Sequence, residues 1–335
     1  MATTDKITLS LGGHDVAVSS PTKVFFSKRG ETKLDLIDYY RAIEGPLMKA
    51  IGGRPILMQR FPDGASGKSF FQKRVPKGAP DWLQTTTVST PNGTTSNAMV
   101  AADIAHVVWA VNMGCLGFHG WPHTANNPAS TDELRIDLDP SKGVGLEEIK
   151  TVAFAVRDLL TELGIAVYPK TSGSRGLHLF VHVTEGYDSY DVRAAAVALA
   201  REMERRFPND VTAKWWKEER GERVFIDFNQ NAPHKTVFAT WSARARVGAQ
   251  VSCPLRWDEV ARVDPDDLTI ATVPSRIAEH GNPWDEMYGA PQDIGVLLDW
   301  YRRDLADGLG DAPWPPVYPK MPNEPSRVAP SRAKE

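Results

Sequence analysis

The sequence predicts an α/β (α+β) fold, and three of its features support this prediction. Apolar and polar residues alternate in residues 132–140, 177–183 and 222–229, as they do in strands with one buried face. Residues 145–164 and 188–207 instead place their apolar residues at helical spacing. The chain shows no internal repeat, which argues against solenoids and propellers.

The N-terminal part begins with a predicted hairpin over residues 6–18, because Gly12 and Gly13 separate two short β-prone segments. Thr32 is a suitable N-cap for a helix that extends to about Ala50. The same patterns predict the elements that follow: a strand over residues 56–60, two strands joined by a turn within residues 84–100, a helix over residues 101–113 and a strand over residues 116–121.

In the C-terminal part, the strand over residues 132–140 ends at Pro140, which cannot donate to a strand partner. The next predicted elements are a helix over residues 145–164, strands over 165–168 and 177–183, a helix from Asp188 or Ser189 to Phe207, and strands over 222–229 and 236–240. Residues 256–305 are predicted to be helical and acidic. We therefore expect one catalytic domain over residues 1–305 and a proline-rich tail, or surface strap, over residues 306–335.

Charge is distributed unevenly along the chain. The net charge is −3, but residues 1–80 carry 13 Lys/Arg and 7 Asp/Glu, whereas residues 256–311 carry 5 and 13. The basic N-terminal part is compatible with contacts to phosphates, and equally with a solvated surface.

The two cysteines are too few for a disulfide framework or a zinc site. The sequence has no apolar run of membrane length and no signal peptide, so we expect a cytoplasmic protein.

Asp137 and Asp139 lie on the polar side of their predicted strand, about 7 Å apart along it. Carboxylates this close repel each other unless a cation lies between them, and Mg²⁺ and Mn²⁺ prefer oxygen ligands. Two solvated acids on a half-exposed strand are the alternative interpretation. Because His178 and Asp227 occupy the polar sides of two further strands, we favour a metal site that two ions can share.

A Gly/Ser turn after Thr171 can offer backbone N–H groups to a phosphate. Ser172, Arg175 and His178 could therefore hold a polyphosphate, and Arg244 could neutralise its charge. P-loop, Rossmann and nucleophile-elbow motifs are absent from the sequence.

Two features in the first 80 residues could contact a nucleic acid. Lys23 and Lys33 flank a predicted helix start, which is a potential anion site. Phe70 and Phe71 lie among basic residues, a composition that suits stacking on bases. The alternatives are solvent-exposed lysines and a phenylalanine pair that belongs to the core.

Three motifs occur in order: Asp137-x-Asp139, the run Ser172-Gly-Ser-Arg-Gly-Leu-His178, and Val224-Phe-Ile-Asp-Phe-Asn-Gln-Asn231. Together they resemble the motifs of archaeo-eukaryotic primases. Over residues 15–305 the chain resembles the polymerase domain of bacterial ligase D and its stand-alone Prim-PolC homologues. The resemblance implies a primase-type catalytic core with mixed or antiparallel sheets flanked by helices.

The resemblance also implies an activity. The implied enzyme is a template-dependent primase-polymerase, which is a nucleotidyltransferase with a two-metal mechanism that uses Mn²⁺ or Mg²⁺. Such an enzyme prefers ribonucleotides over dNTPs and fills short gaps or ends that carry a 5′-phosphate during DNA repair. We accordingly expect a monomer associated with the bacterial nucleoid.

Matching positions in these motifs imply three groups of site residues. The catalytic metal ligands would be Asp137, Asp139 and Asp227. The nucleotide contacts would be His119, Ser172, Arg175, His178, Gln230 and Arg244. The DNA contacts would be Lys23, Lys33, Arg60, Phe70, Phe71 and Arg220.

Two features depart from ligase D. Arg175 stands where those domains often have lysine, and the sequence has no K-x-D-G motif of a nucleotidyl-lysine ligase. We therefore expect a separate DNA ligase to seal the product, with Ku as a further candidate partner. The competing hypotheses are a catalytically weak module that binds 5′-phosphorylated gaps and recruits other repair proteins, and a metal-dependent nuclease.

Overall fold

The computed structural model of the protein describes residues 5–332. Within this range the predicted α/β fold with antiparallel sheets and flanking helices is confirmed. The strands are β1 Lys6–Leu11, β2 His14–Ser19, β3 Val24–Phe26, β4 Glu31–Thr32, β5 Pro55–Arg60, β6 Phe70–Gln72, β7 Thr85–Ser89, β8 Thr95–Val100, β9 Cys115–Gly120, β10 Glu133–Pro140, β11 Tyr168–Thr171, β12 Leu177–His182, β13 Val211–Thr212, β14 Val224–Ile226 and β15 Val237–Phe238.

The α-helices are α1 Lys33–Ala42, α2 Glu44–Ile51, α3 Ile104–Asn112, α4 Leu146–Glu162, α5 Ser189–Arg206, α6 Trp257–Val260, α7 Val273–His280 and α8 Gly295–Ala306. A 3₁₀ helix, Phe228–Asn231, follows β14 directly. Further 3₁₀ turns lie at Lys217–Glu219, Pro265–Asp267 and Met287–Gly289.

Two sheets form the centre of the molecule. The first has the strand order β11-β12-β10-β14-β13, in which only the β13–β14 pair is parallel. The second has the order β15-β9-β5-β8-β7, and β6 pairs with the far end of β5. One hydrophobic core contains residues from both sheets and from helices α1 to α5.

Helices α4 and α5 pack on the apolar side of β10, which leaves the other side of the strand for polar residues. Leu134, Ile136 and Leu138 are at most 1% exposed on that apolar side. The alternating pattern in the sequence therefore predicted the buried face of β10 correctly, since successive side chains of a strand point to opposite sides.

Several element predictions need correction. The helix predicted from Thr32 to Ala50 is two helices divided at Ile43, because Pro46 has no N–H to donate back to Ala42. The strand predicted over residues 165–168 lies at Tyr168–Thr171 instead. The strands predicted over 222–229 and 236–240 shorten to β14 and β15. Residues 256–305 contain three helices separated by irregular segments, so a continuous helical region is wrong.

The proline-rich segment has a defined place in the structure. From Asp311 onward it packs against α5 and the 3₁₀ helix of residues 228–231, with Trp314 and Tyr318 about 95% buried. Within residues 5–332, no helix has the length and apolarity that crossing a membrane requires.

Candidate active site

Four polar residues form one row across the first sheet. The antiparallel register aligns Lys170 on β11 with His178 on β12, and His178 with Asp137 on β10. The backbone N–H of Asp227, just after β14, donates to the Asp137 carbonyl at 3.0 Å. Segments that are far apart in the sequence thus meet at one level of the sheet, on the side opposite α4 and α5.

The carboxylates of Asp137, Asp139 and Asp227 converge at this row. One oxygen atom of each lies within 4.8 Å of the others. Burial and the charges of Asp139 and Asp227 raise the pKa of the Asp137 carboxyl well above its ordinary value. Burial likewise raises the pKa values of Asp139 and Asp227. The three groups form a concentration of negative charge that the fold holds together.

Asp227 is placed by the 3₁₀ helix that follows it. Its Oδ1 accepts the backbone N–H of Asn229 at 3.0 Å, as at a helix N-cap, and its Oδ2 accepts a hydrogen bond from the Gln230 side chain at 2.8 Å. This cap explains why β14 ends at Ile226, although the alternating sequence continues for three more residues.

The Gly/Ser turn lies beside the carboxylates. Ser172 Oγ accepts the backbone N–H groups of Ser174 and Gly176, both at 3.1 Å. Gly173 has a φ of +68°, and a Cβ there would lie 2.7 Å from Cγ of Arg244. Only glycine therefore lets Arg244 pass over the turn, where its Nε donates to the Ser172 carbonyl at 2.7 Å.

Two histidines face the site in the neutral form. Nε2 of His178 lies 3.3 Å from Oδ1 of Asp137, and burial lowers the pKa of His178 well below its usual range. Burial, followed by the charge of Arg244, lowers the pKa of His119 to about 4. Nε2 of His119 is buried without a hydrogen-bond partner among the described residues, so it remains available to a bound molecule.

These residues surround a cleft of about 490 Å³. Nine of the fifteen predicted site residues line it: His119, Asp137, Asp139, Ser172, Arg175, His178, Arg220, Gln230 and Arg244. Asp227 adjoins the cleft through the carboxylate cluster. A volume of this size is within the range of small-ligand sites in proteins.

The carboxylate cluster fits a divalent metal ion. Oxygen donors alone, held close together with raised pKa values, are the ligand set that Mg²⁺ and Mn²⁺ prefer. The residues that would hold the metal are Asp137, Asp139 and Asp227, and a bound cation would offset their mutual repulsion.

Lys23 and Lys33 lie together at the start of α1, where the backbone N–H of Lys33 donates to the Lys23 carbonyl at 2.8 Å. The Lys33 ammonium group is buried, with the carbonyl of Ser19 and both oxygens of Asn112 as acceptors. Burial and the charge of Lys23 lower the pKa of Lys33 to about 8. The Lys23 ammonium group is more exposed and contacts the Pro62 carbonyl at 2.6 Å.

The helix start itself is occupied by a capping box. Thr32 and Asp35 satisfy each other's backbone N–H groups, as the sequence predicts for Thr32. A phosphate that binds here would therefore meet the lysine side chains rather than free N–H groups of the helix.

Phe70 and Phe71 are not core residues, since they are 46% and 58% exposed. They lie on β6, with the Arg60 guanidinium 5.1 Å from the centre of the Phe70 ring. The Phe71 ring meets His119 edge to face at 5.4 Å. An aromatic surface thus extends from the cleft to the outside of the second sheet.

The sequence analysis did not single out three residues that the structure brings to the site. Phe238 supports Arg244, whose guanidinium lies 3.7 Å from the centre of the ring. Lys217 lines the cleft, and its charge acts on Asp139. Lys170 is fully buried beside His178, and its ammonium group donates to Ser252 Oγ. A lysine in a short strand whose other residues are uncharged was the available signal for Lys170.

The family model for the LigD primase-polymerase domain matches residues 32–284 of this chain. The multifunctional non-homologous end joining protein LigD of Mycolicibacterium smegmatis is 32% identical over 313 residues, which cover 92% of this chain and 40% of that protein. The bifunctional LigD of Bacillus subtilis is 31% identical over 289 residues, or 85% of this chain and 46% of that protein. The chain thus spans less than half the length of these curated relatives.

Comparison with a solved structure shows that the fold is also similar to that of a LigD polymerase domain. The polymerase domain of Mycobacterium tuberculosis ligase D in complex with DNA matches with a TM-score of 0.76 and 32% identity, covering 83% of this chain and 99% of that domain. The resemblance inferred from the three motifs is confirmed: the chain belongs to the LigD primase-polymerase domain family.

Proposed function

We propose that the chain is a template-dependent nucleotidyltransferase that fills short gaps or ends carrying a 5′-phosphate during DNA repair by end joining. The observation that carries this proposal is the convergence of three carboxylates beside a cleft of about 490 Å³ that is lined by arginine and lysine side chains. In the reaction, the 3′-hydroxyl oxygen of the primer attacks the α-phosphorus of a nucleoside triphosphate. A new P–O bond forms, the bond to pyrophosphate breaks, and the hydroxyl proton is released.

The residues of the chain bind and orient the reactants. The Ser172 turn, Arg175 and Arg244 would contact the triphosphate, because two guanidinium groups line the cleft beside the turn. Neutral His178 and His119 can donate hydrogen bonds to phosphate oxygens without binding a proton first. Such positioning is most of what a protein supplies to phosphoryl transfer.

Asp137, Asp139 and Asp227 would hold Mn²⁺ or Mg²⁺. We propose that the enzyme is more active with Mn²⁺ than with Mg²⁺. A bound pair of such ions supplies charge stabilisation to the attacking and leaving oxygens. Asn229 and Gln230 each donate one hydrogen bond to the Asp227 carboxylate, and the remaining lone pairs of its two oxygens would serve the ligand role.

Lys23 and Lys33, which lie outside the cleft, would contact the 5′-phosphate across a gap. The DNA strands would be contacted by Arg60, Phe70 and Phe71, and by Arg220, which lines the cleft. The exposure of both phenylalanine rings supports a stacking role. We further propose that the enzyme prefers ribonucleotides, passes its product to a separate DNA ligase, has Ku as a partner and associates with the nucleoid.

Primer extension tests the proposal. The substrate is a duplex with a short gap and a downstream 5′-phosphate, supplied with Mn²⁺ and either NTPs or dNTPs. We expect the wild type to add templated nucleotides and the Asp137→Ala/Asp139→Ala variant to lose at least about 10³-fold in rate, since the ligands act together. An equal rate for the two proteins would refute the metal assignment.

The same reactions separate the alternatives. Binding of the gapped duplex without incorporation under either metal would favour a binding module. Release of nucleotides from end-labelled DNA would favour a nuclease. The nuclease hypothesis leaves the Ser172 turn and Arg244 without a role.

A further inference from the structure

The segment of residues 311–327, which we term the C-terminal strap, lies against the 3₁₀ helix that follows Asp227. The strap lies beyond residues 32–284, which match the family model. It reaches the 3₁₀ helix through two buried side chains, Arg193 on α5 and Asn229.

Arg193 joins α5, the strap and the 3₁₀ helix. Its side chain is 1% exposed. One guanidinium nitrogen donates to Asp311 at 3.1 Å, another donates to the Ala312 carbonyl at 2.9 Å, and Nε donates to Oδ1 of Asn229 at 2.8 Å. The guanidinium also stacks 3.8 Å from the centre of the Trp314 ring. The hydrogen bonds of Arg193 therefore all lie where α5, the strap and the 3₁₀ helix meet, a place that we term the junction.

Asn229 connects this junction to Asp227. Its side-chain amide donates to the Pro313 carbonyl at 3.0 Å, so it is bound to the strap as well as to Arg193. Its backbone N–H donates to Oδ1 of Asp227 at 3.0 Å. The same residue therefore contacts the strap with its side chain and the carboxylate with its backbone.

Further contacts hold the rest of the strap in place. Trp314 and Tyr318 pack on Ala232 at the end of the 3₁₀ helix, and the Tyr318 hydroxyl donates to the Pro233 carbonyl. Farther along, Glu324 accepts from Arg327 and from the backbone N–H of Trp314. These bonds hold the strap in one conformation over the 3₁₀ helix.

We propose that the C-terminal strap is a positioning element for the metal site, and that Asn229 is the positioning residue through which it sets the orientation of Asp227. This inference rests on the proposed metal role of Asp227. Residues that orient a metal ligand through a hydrogen bond commonly change metal affinity by about 10–100-fold when they are replaced.

The experiment measures Mn²⁺ binding directly, by the electron paramagnetic resonance signal of free Mn²⁺ in solutions of the full chain. The variants are Asn229→Ala and Arg193→Met. We expect each to raise the Kd for Mn²⁺ by about tenfold, because the strap and α5 no longer hold residue 229, whose backbone N–H donates to Asp227.

Arg201→Met is the matched control. Arg201 lies on the same helix and donates to the Gly310 carbonyl at 2.9 Å, immediately before the strap, and its other contact is Asp304 on α8. We expect it to lower the unfolding temperature while its Kd for Mn²⁺ stays at the wild-type value. A purely structural role of the strap would instead make Kd follow stability in all three variants, which would overturn the inference.

The remaining outcomes are also decisive. Wild-type affinity in folded Asn229→Ala protein overturns the inference and leaves the proposed function intact. Absence of Mn²⁺ binding by the wild type overturns the proposed function itself. If the variants do not fold, hydrogen exchange of the wild-type protein provides the test. Exchange of the Asn229 and Gln230 backbone N–H groups as slow as that of β10 would support the positioning role of the strap. Rapid exchange of these groups would overturn it.

Discussion

At the scale of single residues, Asp137 combines a functional requirement with a cost to stability. It is flanked by two other carboxylates and largely withdrawn from water, which raises its pKa. A folded-state carboxyl with a raised pKa binds more protons than the unfolded chain does between the two pKa values. Its contribution to stability therefore falls as pH rises through that window.

We predict that Asp137→Asn stabilises the metal-free protein while abolishing Mn²⁺ binding. The free energy of unfolding at pH 7 should rise, because the substitution removes a carboxyl group whose pKa is raised by burial and by the charges of Asp139 and Asp227. Urea unfolding in the presence of a chelator measures this, and the gain should shrink toward pH 5. Exposed Asp81 provides the control substitution, Asp81→Asn. A destabilised Asp137→Asn protein at pH 7 would contradict the account.

Phe70 tests whether the exposed aromatic surface reads a template. Because its ring is 46% exposed, Phe70→Ala should change the free energy of unfolding by less than about 0.5 kcal/mol. Stacking on a base contributes about 1–3 kcal/mol, so discrimination between templated and non-templated nucleotides should fall about tenfold.

Single-turnover incorporation of matched and mismatched nucleotides measures this effect. Phe207→Ala, at a residue that is 36% exposed after α5, is the control and should leave discrimination unchanged. Unaltered discrimination in Phe70→Ala would remove the stacking role, and a large loss of stability would mark Phe70 as structural.

At the scale of elements, the sequence identified the strands that carry chemistry but not where each one ends. Period-two alternation located β10 and β12 because helices cover one of their sides. It failed for β14, where the Asp227 side chain caps the next residues and the chain turns into a 3₁₀ helix. Helical periodicity likewise did not show the break between α1 and α2, because the apolar spacing continues across Ile43 although Pro46 has no N–H to donate.

The alignment of Lys170, His178, Asp137 and Asp227 in one row depends on strand register. A shift of one residue would turn each side chain to the opposite face of the sheet. Register is fixed by pairing between distant segments, so the row could not be derived from any single stretch. The resemblance to known motifs named three of these four residues and missed Lys170.

The turn that begins at Ser172 provides the next prediction. Ser172 Oγ accepts two backbone N–H groups, so Ser172→Ala removes the bonds that fix the turn. We expect KM for the nucleoside triphosphate to rise about tenfold and the free energy of unfolding to fall by about 1 kcal/mol. Steady-state gap filling and urea unfolding measure the two effects. An unchanged KM would show that the turn does not bind the triphosphate.

The start of α1 gives a pH-dependent prediction. The pKa of Lys33 is lowered to about 8 by burial and by Lys23, so Lys33 loses its charge as pH rises through that value. Preference for a 5′-phosphate over a 5′-hydroxyl gap should therefore weaken between about pH 7 and pH 9.

Binding of both gapped duplexes at each pH measures this preference. Lys33→Arg keeps its charge over this range and serves as the control, so its preference should stay constant. Lys23→Ala with Lys33→Ala should weaken binding to the 5′-phosphate gap more than to the 5′-hydroxyl gap. An equal loss on both substrates would refute a specific phosphate pocket.

At the scale of the whole molecule, the two sheets carry different parts of the candidate site. The first sheet carries the carboxylate row and the Gly/Ser turn, and the second carries His119 and, through β6, the exposed phenylalanines. The cleft lies where His119 and Phe238 of the second sheet face residues of the first. The basic N-terminal part contributes β6 and the lysine pair, in agreement with an approach of DNA from that side.

The chain spans about 40% of the length of the LigD protein of Mycolicibacterium smegmatis. Its substrate must come from a reaction that leaves a gap with a 5′-phosphate, and its product must pass to a ligase. Both statements follow from the proposed function and share its tests.

The central claim is that three distant aspartates hold shared cations next to a triphosphate pocket. A crystal of the protein soaked with Mn²⁺ and a nucleoside triphosphate tests it most directly, through the anomalous signal of manganese. The account predicts manganese in contact with Asp137, Asp139 and Asp227, and phosphates in contact with Ser172 and Arg244. Manganese bound elsewhere, or a triphosphate that leaves this cleft empty, would contradict it.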